Sequence, residues 1–143
     1  EAQSMASVPK TLWLKNNKFI LYDTRIQKEN RNFTLFDPEN LDDSKNLLDL
    51  DRALISLNKI INDSVKAIEW PISFDAYGNK ALYKYKDDLF LLDLTTSTFF
   101  RITNSDQEEK SPRFSPDGKK IAFVRDNDLY IYNLENGLAI LES

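Results

Sequence analysis

Cysteine and histidine are both absent from this chain of 143 residues. Without cysteine the chain forms no disulfide, no thiolate metal site and no cysteine nucleophile. Without histidine it lacks the commonest general base and metal ligand, and every Ser-His-Asp arrangement is excluded. A catalyst built from this chain alone would have to work with carboxylates, lysine or tyrosine.

Glycine is also scarce, with three residues at positions 78, 118 and 137, of which the closest two lie 19 residues apart. This spacing excludes the glycine-rich loops that cradle phosphates. The net charge is −4 and no basic cluster is present, so we expect no nucleic-acid partner. The apolar runs are a few residues long, so we expect no membrane span. The sequence predicts no cofactor, metal or catalytic residue in this chain.

A repeat with an offset of 40 residues relates segments 72–97 and 112–137. Six of the 26 aligned positions are identical, including Phe74 and Phe114, Gly78 and Gly118, and Asp88 and Asp128. Chance would give about one or two identities over such a window, and a period near 40 residues is that of a four-stranded propeller blade.

Each of the two repeat segments is predicted to form short strands separated by turns. Ser115-Pro116-Asp117-Gly118 has the signature of a type I turn, and a polar hairpin turn is predicted at 126–128. The runs 89–92 and 121–124 are apolar at successive positions, which is typical of strands covered on both faces. Stacked propeller blades meet that requirement, whereas a sandwich or a barrel meets it only in part.

The N-terminal half is less regular. Strands are predicted at 18–23 and 33–37, preceded by Trp13 and Leu14, and an acidic, turn-rich loop is predicted at 37–44. Leucine and isoleucine then recur at spacings of three and four between positions 47 and 61, which indicates a short amphipathic helix with Ser44 as its candidate cap. The alternative is that the same leucines belong to an irregular blade strand.

These patterns predict a mainly all-β fold, a partial β-propeller with two clear four-stranded antiparallel blades and a degenerate N-terminal blade with a short helix. Residues 1–69 would form the degenerate blade with its acidic loop, and residues 70–143 the two consecutive blades. Both parts belong to a single fragmentary domain. Because the chain begins with glutamate, we expect it to be processed or cut from something longer.

One stretch of the chain contains Phe114-Ser115-Pro116-Asp117-Gly118, then an apolar strand, then residues 128–134 and Asn136-Gly137. This stretch resembles the N-terminal propeller of the dipeptidyl peptidase IV family of serine peptidases, and the bacterial members are the most similar in style. The resemblance extends from about Trp13 to Gly137. It implies a parent enzyme that removes N-terminal dipeptides, a C-terminal α/β-hydrolase domain as partner in the parent chain, a peptide substrate, and a periplasmic or extracellular location.

No functional residue of the family carries over to this chain. The family's paired glutamates lie in an Asp-Trp-x-Tyr-Glu-Glu context that is absent, and its catalytic residues lie in the hydrolase domain. Glu108 and Glu109 form a glutamate pair, but their neighbours differ and they lie between blades. We therefore expect this chain to be a non-catalytic fragment, with a binding scaffold of the Tol-type or WD-repeat kind as the alternative.

Three groups of residues admit a functional and a structural interpretation. Clustered carboxylates can bind calcium, but a solvated acidic loop or a hairpin turn accounts for them better; they are Asp37, Glu39, Asp42 and Asp43, with Asp126 and Asp128. An aromatic group is more typical of blade core than of a recognition strip; it comprises Tyr83, Tyr85, Phe90, Phe99 and Phe100. Two segments, 32–34 and 62–64, match the glycosylation acceptor pattern, which matters only in a secretory host. No spacing selects a carboxylate pair for glycoside chemistry.

A short array of blades leaves an apolar face exposed at each end. We therefore expect the fragment to self-associate, by covering those faces or by exchanging a strand between copies.

Overall fold

The computed structural model describes residues 8–142 and contains three four-stranded antiparallel sheets and one α-helix. In each sheet the strands are neighbours in the order in which the chain makes them. The prediction of a mainly β fold with two four-stranded blades and an additional N-terminal sheet is confirmed.

The first sheet is built from four consecutive strands: β1 (Lys10–Trp13), β2 (Phe19–Tyr22), β3 (Thr34–Asp37) and β4 (Asn40–Asn46). A single turn of 3-10 helix, Lys28–Asn30, lies between β2 and β3. Most of the predicted acidic loop is therefore the strand β4. All seven residues of β4 are exposed at the edge of the sheet, where charged side chains remain in water and discourage further strand pairing.

Helix α1 spans Leu50–Ile61 and confirms the predicted helix. Its buried residues Ala53, Leu57 and Ile61 lie four apart, and two of them, Leu57 and Ile61, belong to the predicted apolar series. Asp49 caps the helix, since its Oδ1 accepts a hydrogen bond from the backbone N–H of Arg52 at 3.1 Å. The prediction of Ser44 as the cap is wrong, because that residue lies in β4, five positions before Asp49.

The second sheet contains β5 (Ser73–Phe74), β6 (Lys80–Tyr85), β7 (Asp88–Asp93) and β8 (Thr98–Arg101). The third contains β9 (Glu109–Phe114), β10 (Lys120–Arg125), β11 (Asp128–Asn133) and β12 (Leu138–Glu142). Strands β10 and β11 begin and end 40 residues after β6 and β7, so the sequence repeat is a repeat of structure.

The turns explain why the repeat folds in this way. Gly118 donates its N–H to the carbonyl of Ser115 at 2.9 Å, and Gly78 donates to the carbonyl of Asp75 at 3.2 Å. Both glycines have a φ above +70°, a conformation that costs glycine little. The carboxylate of Asp75 also accepts the backbone N–H groups of Asn79 and Lys80, both at 2.7 Å, which stabilises the first of these turns.

The described residues form two compact units, one reaching to Trp70 together with Leu94–Thr98, and the other comprising Pro71–Asp93 and the residues from Phe99 onward. In the first unit, the Tyr22 hydroxyl donates to the carbonyl of Ile68 at 2.6 Å, and the ring lies 5.4 Å from that of Phe33. Burial raises the pKa of Tyr22. This aromatic cluster ties β2 to the segment that follows the helix.

In the second unit, the second and third sheets pack face to face. Leu89 and Leu91 of β7 contact Ile121 and Phe123 of β10 in one buried cluster. All of 89–92 is buried, which confirms that the continuous apolar run is covered on both faces. In 121–124 only Ile121 and Phe123 are buried, so β10 is fully covered on one face alone.

Candidate functional site

A bulge in β9 determines which side chains of that strand point inward. Ser111 has a φ of +54°, and the pairing of β9 with β10 shifts by one residue at this point. Before the bulge Glu109 pairs with Arg125, whereas the register after it would place Lys110 there. Because side chains alternate between faces along a strand, the extra residue turns Glu109 inward.

Glu109 is fully buried, and both of its carboxylate oxygens are hydrogen-bonded. Oε2 accepts from Nε of Arg125 at 2.9 Å, and Oε1 accepts from the Thr103 hydroxyl at 2.6 Å. The guanidinium of Arg125 lies 4.7 Å from the centre of the Tyr130 ring, which contributes a cation–π interaction. Each oxygen of this buried carboxylate therefore has a donor, which offsets the cost of removing it from water.

Thr103 connects this ion pair to a second buried carboxylate. Its hydroxyl oxygen accepts the backbone N–H of Leu89 at 2.9 Å and lies 3.3 Å from Oδ1 of Asp88. The same Asp88 oxygen accepts the N–H of Ser105 at 3.1 Å, and Oδ2 lies 3.4 Å from the guanidinium of Arg101. We call this set the polar lock; its members are Asp88, Arg101, Thr103, Ser105, Glu109 and Arg125.

The polar lock joins the first residue of β7 to β9 and β10, so it fastens the second sheet to the third at one end of their strands. Its carboxylates are already occupied by donors within the chain. A general base has to reach its substrate, whereas Glu109 is fully buried and Asp88 is only 5% exposed. The chemistry of this site is therefore structural.

Glu108 and Glu109 do not converge on a common point, although they are adjacent in sequence. Glu108 is exposed and forms an ion pair with Lys84, whose hydrogen bond holds the pKa of Glu108 below its ordinary value. A polar cleft of about 330 Å³ adjoins this residue, and it is lined by Gln107, Glu108, Lys110, Val124, Asp126 and Asn127. The sequence did not distinguish the two glutamates, because the bulge at Ser111 that determines which of them points inward contains no glycine.

The structure gives the other acidic candidates local roles. Oδ1 of Asp37 accepts the N–H of Glu39 at 3.0 Å in the turn between β3 and β4. Asp126 has a φ of +51° in the hairpin turn, and Asp128 is exposed at the start of β11. Within residues 8–142, no group of three or more carboxylates is arranged to hold a metal ion.

The aromatic candidates of the second sheet form a ring cluster. Tyr83, Phe90 and Phe99 are buried, and the Tyr83 and Phe99 rings meet edge to face at 5.4 Å. The prediction of blade core is confirmed for these three residues. It is wrong for Phe100, which is 50% exposed because it points to the opposite side of β8 from Phe99.

The two glycosylation acceptor patterns differ in accessibility. The side chain of Asn32 is half-buried, where its amide donates to the carbonyl of Leu48 at 2.8 Å and its oxygen accepts from Leu48 N–H. Asn62 is exposed at the C-terminal end of α1, with a φ of +53°. Only Asn62 presents its amide to solvent.

A family model describing the dipeptidyl peptidase IV N-terminal region matches residues 73–141. These are the residues that form the second and third sheets, with the turns and the polar lock between them. The match covers just under half of the chain and shows that these residues are similar to the dipeptidyl peptidase IV N-terminal region. The resemblance inferred from the Ser-Pro-Asp-Gly turn is confirmed.

Solved structures share the fold of this dipeptidyl peptidase IV N-terminal region. Dipeptidyl peptidase 4 of Porphyromonas gingivalis is 15% identical with a TM-score of 0.68, covering 99% of this chain and 20% of its own. TolB from Acinetobacter baumannii is 20% identical with a TM-score of 0.51, covering 93% of this chain and 32% of its own. The tricorn protease is 12% identical with a TM-score of 0.53, covering 87% of this chain and 12% of its own.

This chain therefore spans about a fifth of the length of dipeptidyl peptidase 4 from P. gingivalis. No curated protein matches it in sequence. Among residues 8–142, no helix is both long and apolar enough to cross a membrane.

Proposed function

We propose that this chain is a non-catalytic part of the N-terminal propeller of a dipeptidyl-peptidase-IV-like serine exopeptidase. The observation that carries the proposal is the family match over 73–141. The polar lock supports it, since its buried carboxylates accept hydrogen bonds from within the chain and hold two sheets together. In the parent, the propeller limits access to the hydrolase site and helps to position the peptide N-terminus.

The parent enzyme removes N-terminal dipeptides through an acyl-enzyme intermediate. Its serine, aspartate and histidine reside in a C-terminal α/β-hydrolase domain, which is the partner of this propeller in the parent chain. The location that we propose for the parent is the periplasm or the cell exterior, where such an enzyme meets peptides.

The test compares this chain with the longer protein encoded by its gene. A reporter that releases a dye from a dipeptide ending in proline is expected to give no turnover with residues 1–143. The longer protein is expected to hydrolyse it, and its variant with alanine at the Gly-x-Ser-x-Gly serine is expected to be inactive. A longer protein that folds and shows no dipeptidyl peptidase activity would contradict the proposal.

A non-enzymatic binding scaffold is the second candidate, and the structural likeness to TolB from A. baumannii favours it. The two candidates differ in what the gene encodes beyond Ser143. An Asp-Trp-x-Tyr-Glu-Glu segment followed later by a Gly-x-Ser-x-Gly elbow favours the peptidase. Further blades followed by a stop codon favour the scaffold.

A further inference from the structure

Two turns of the third sheet contain a pair of residues that can close into a cyclic imide. Asp117 precedes Gly118 between β9 and β10, and Asn136 precedes Gly137 between β11 and β12. Because glycine has no Cβ, its backbone nitrogen is less crowded than that of any other residue. In each pair this nitrogen can attack the side-chain carbonyl carbon of the preceding residue and form a five-membered ring.

The surroundings of Asp117 make it the less reactive of the two. Its Oδ1 accepts hydrogen bonds from the Lys119 N–H at 3.0 Å and from the Ser115 hydroxyl at 2.7 Å. Both hydrogen bonds hold the pKa of Asp117 below its ordinary value, so its side chain is a carboxylate, which resists attack by a nucleophile. The Asn136 amide is uncharged, and its leaving group is ammonia.

The turn around Asn136 both assists and restrains the attack. Oδ1 of Asn136 accepts the N–H of Leu138 at 3.0 Å, and a donor at this oxygen stabilises the negative charge that develops on it as the carbonyl is attacked. The Gly137 N–H donates to the carbonyl of Asn133 at 2.9 Å. The nitrogen therefore reacts from a turn in which this hydrogen bond has opened.

The repeat shows that the tip of this turn faces solvent even in a sheet that is covered on both sides. Thr96 lies 40 residues before Asn136, in the corresponding turn of the second sheet. Thr96 is exposed, although the run 89–92 in the preceding strand is entirely buried. The exposure of Asn136 is therefore a property of its place in the turn.

We propose that Asn136 is a site of spontaneous deamidation. The Gly137 nitrogen loses its proton to a base in the solvent and bonds to Cγ of Asn136, while the amide nitrogen takes up a proton and leaves as ammonia. Water then opens the imide. Opening at Cγ gives aspartate, and opening at the backbone carbonyl gives isoaspartate, whose main chain runs through Cβ and Cγ. The proposal goes beyond the proposed function and does not depend on it.

The products change the charge and the length of the turn. Each deamidation adds one negative charge to the net charge of −4. Isoaspartate also lengthens the backbone by one atom in a turn whose length sets the pairing of Asn133 with Leu138. We therefore expect the amides of β12 to exchange with solvent hydrogen faster in the isoaspartate form than in the original chain.

Incubation of the folded 143-residue chain at mildly alkaline pH, followed by peptide mapping with mass spectrometry, tests the proposal. The expected result is replacement of the Asn136 amide by a carboxyl group, partly as isoaspartate that an isoaspartate-specific methyltransferase labels. The rate is expected to rise with pH, because the Gly137 nitrogen must lose a proton. Asn127 is the internal control, since it is also exposed in a hairpin turn but precedes Asp128, and it is expected to stay unchanged.

Two variants test the assigned chemistry. Asn136→Gln is expected to abolish the modification, because its longer side chain would have to close a six-membered ring. Asp128→Gly is expected to make Asn127 react, since it gives that residue a glycine neighbour. Circular dichroism checks the fold of each variant.

The unaltered chain decides the proposal without any variant. If Asn136 keeps its amide in the folded chain while it reacts in urea, the folded turn blocks the attack and the proposal is wrong. Isoaspartate formed as readily at Asp117 as at Asn136 would overturn the distinction between the two turns.

Discussion

Gly118 of the third sheet lies against Asp75 of the second: a Cβ at Gly118 would stand 3.5 Å from Oδ2 of Asp75. The two residues belong to repeat-related turns, and Gly118 has a φ of +71°. The glycine therefore meets two requirements, a left-handed backbone and a close approach between sheets.

We expect Gly118→Val to lower the free energy of unfolding by more than about 1 kcal/mol, because a β-branched residue is strained at positive φ. Its branch atoms would also crowd Asp75. Gly118→Ala is expected to cost less, since its Cβ stays at ordinary contact distance. Urea denaturation measures the stability of both variants. If the valine variant is as stable as the unaltered chain, the assigned turn at Gly118 and its contact with Asp75 are both wrong.

The ion pair of the polar lock gives the second prediction. Glu109→Ala leaves the Arg125 guanidinium without its partner in a partly buried place, and we expect a loss of about 3 kcal/mol. Arg125→Met is expected to be similarly harmful, since it leaves the fully buried Glu109 carboxylate unpaired.

The double variant Glu109→Met with Arg125→Met distinguishes the pair from its packing. It is expected to cost much less than the sum of the single changes, because neither charge is then left alone. Additive losses in urea denaturation would show that the two side chains do not act as a pair.

The third prediction concerns acid. The backbone N–H of Lys119 and then the Ser115 hydroxyl hold the pKa of Asp117 below its ordinary value. Because the pKa is lower in the folded chain, the ionised carboxylate stabilises the turn at any pH above the unfolded-state pKa of about 3.9. This contribution is lost as the pH falls through the folded-state pKa.

Asp117→Asn is therefore expected to destabilise the chain at pH 6 more than at pH 2 to 3, as urea denaturation at each pH would measure. The control is Asp126→Asn, because Asp126 is exposed in the hairpin turn between β10 and β11 and its replacement changes the net charge by the same amount. An NMR titration that places the Asp117 pKa at its ordinary value would refute the assignment.

The fourth prediction uses the two acceptor patterns. When the chain is secreted from a host that N-glycosylates proteins, mass spectrometry is expected to find glycan on Asn62 and none on Asn32. Asn62→Gln should remove the glycan and Asn32→Gln should leave it. The reason is that Asn32 already uses its amide on Leu48, whereas Asn62 is exposed. Glycan on Asn32 would mean that this hydrogen bond opens in the folded chain.

The sequence predicted those features that a local pattern encodes. The turn at 115–118 needs proline and glycine at fixed places, and the repeat places 128–133 in the same pairing as 88–93. Helix α1 follows from its apolar spacing. Its cap was predicted wrongly because several polar residues precede the helix, and only backbone geometry selects Asp49.

The polar lock was not predictable in the same way. Thr103, Glu109 and Arg125 are separated in sequence, and their side chains converge only because β9 gains one residue at Ser111. Serine is an ordinary strand residue, and the sequence signal beside it is Pro112, since proline within a sheet is confined to edge strands and bulges. Side chains alternate between the two faces of a strand, so a prediction that omits the bulge places every residue before Ser111 on the wrong face of the sheet.

The bulge makes the register of β9 depend on one extra residue. If the strand kept its length and paired with β10 without the bulge, Lys110 would lie opposite Arg125, and the Glu109 carboxylate would turn to the other face of the sheet. A strand that lacked Ser111 would instead keep Glu109 opposite Arg125 in regular pairing. Homologous chains should therefore either carry the extra residue together with the bulge or lack both, and in either form keep the glutamate opposite the arginine.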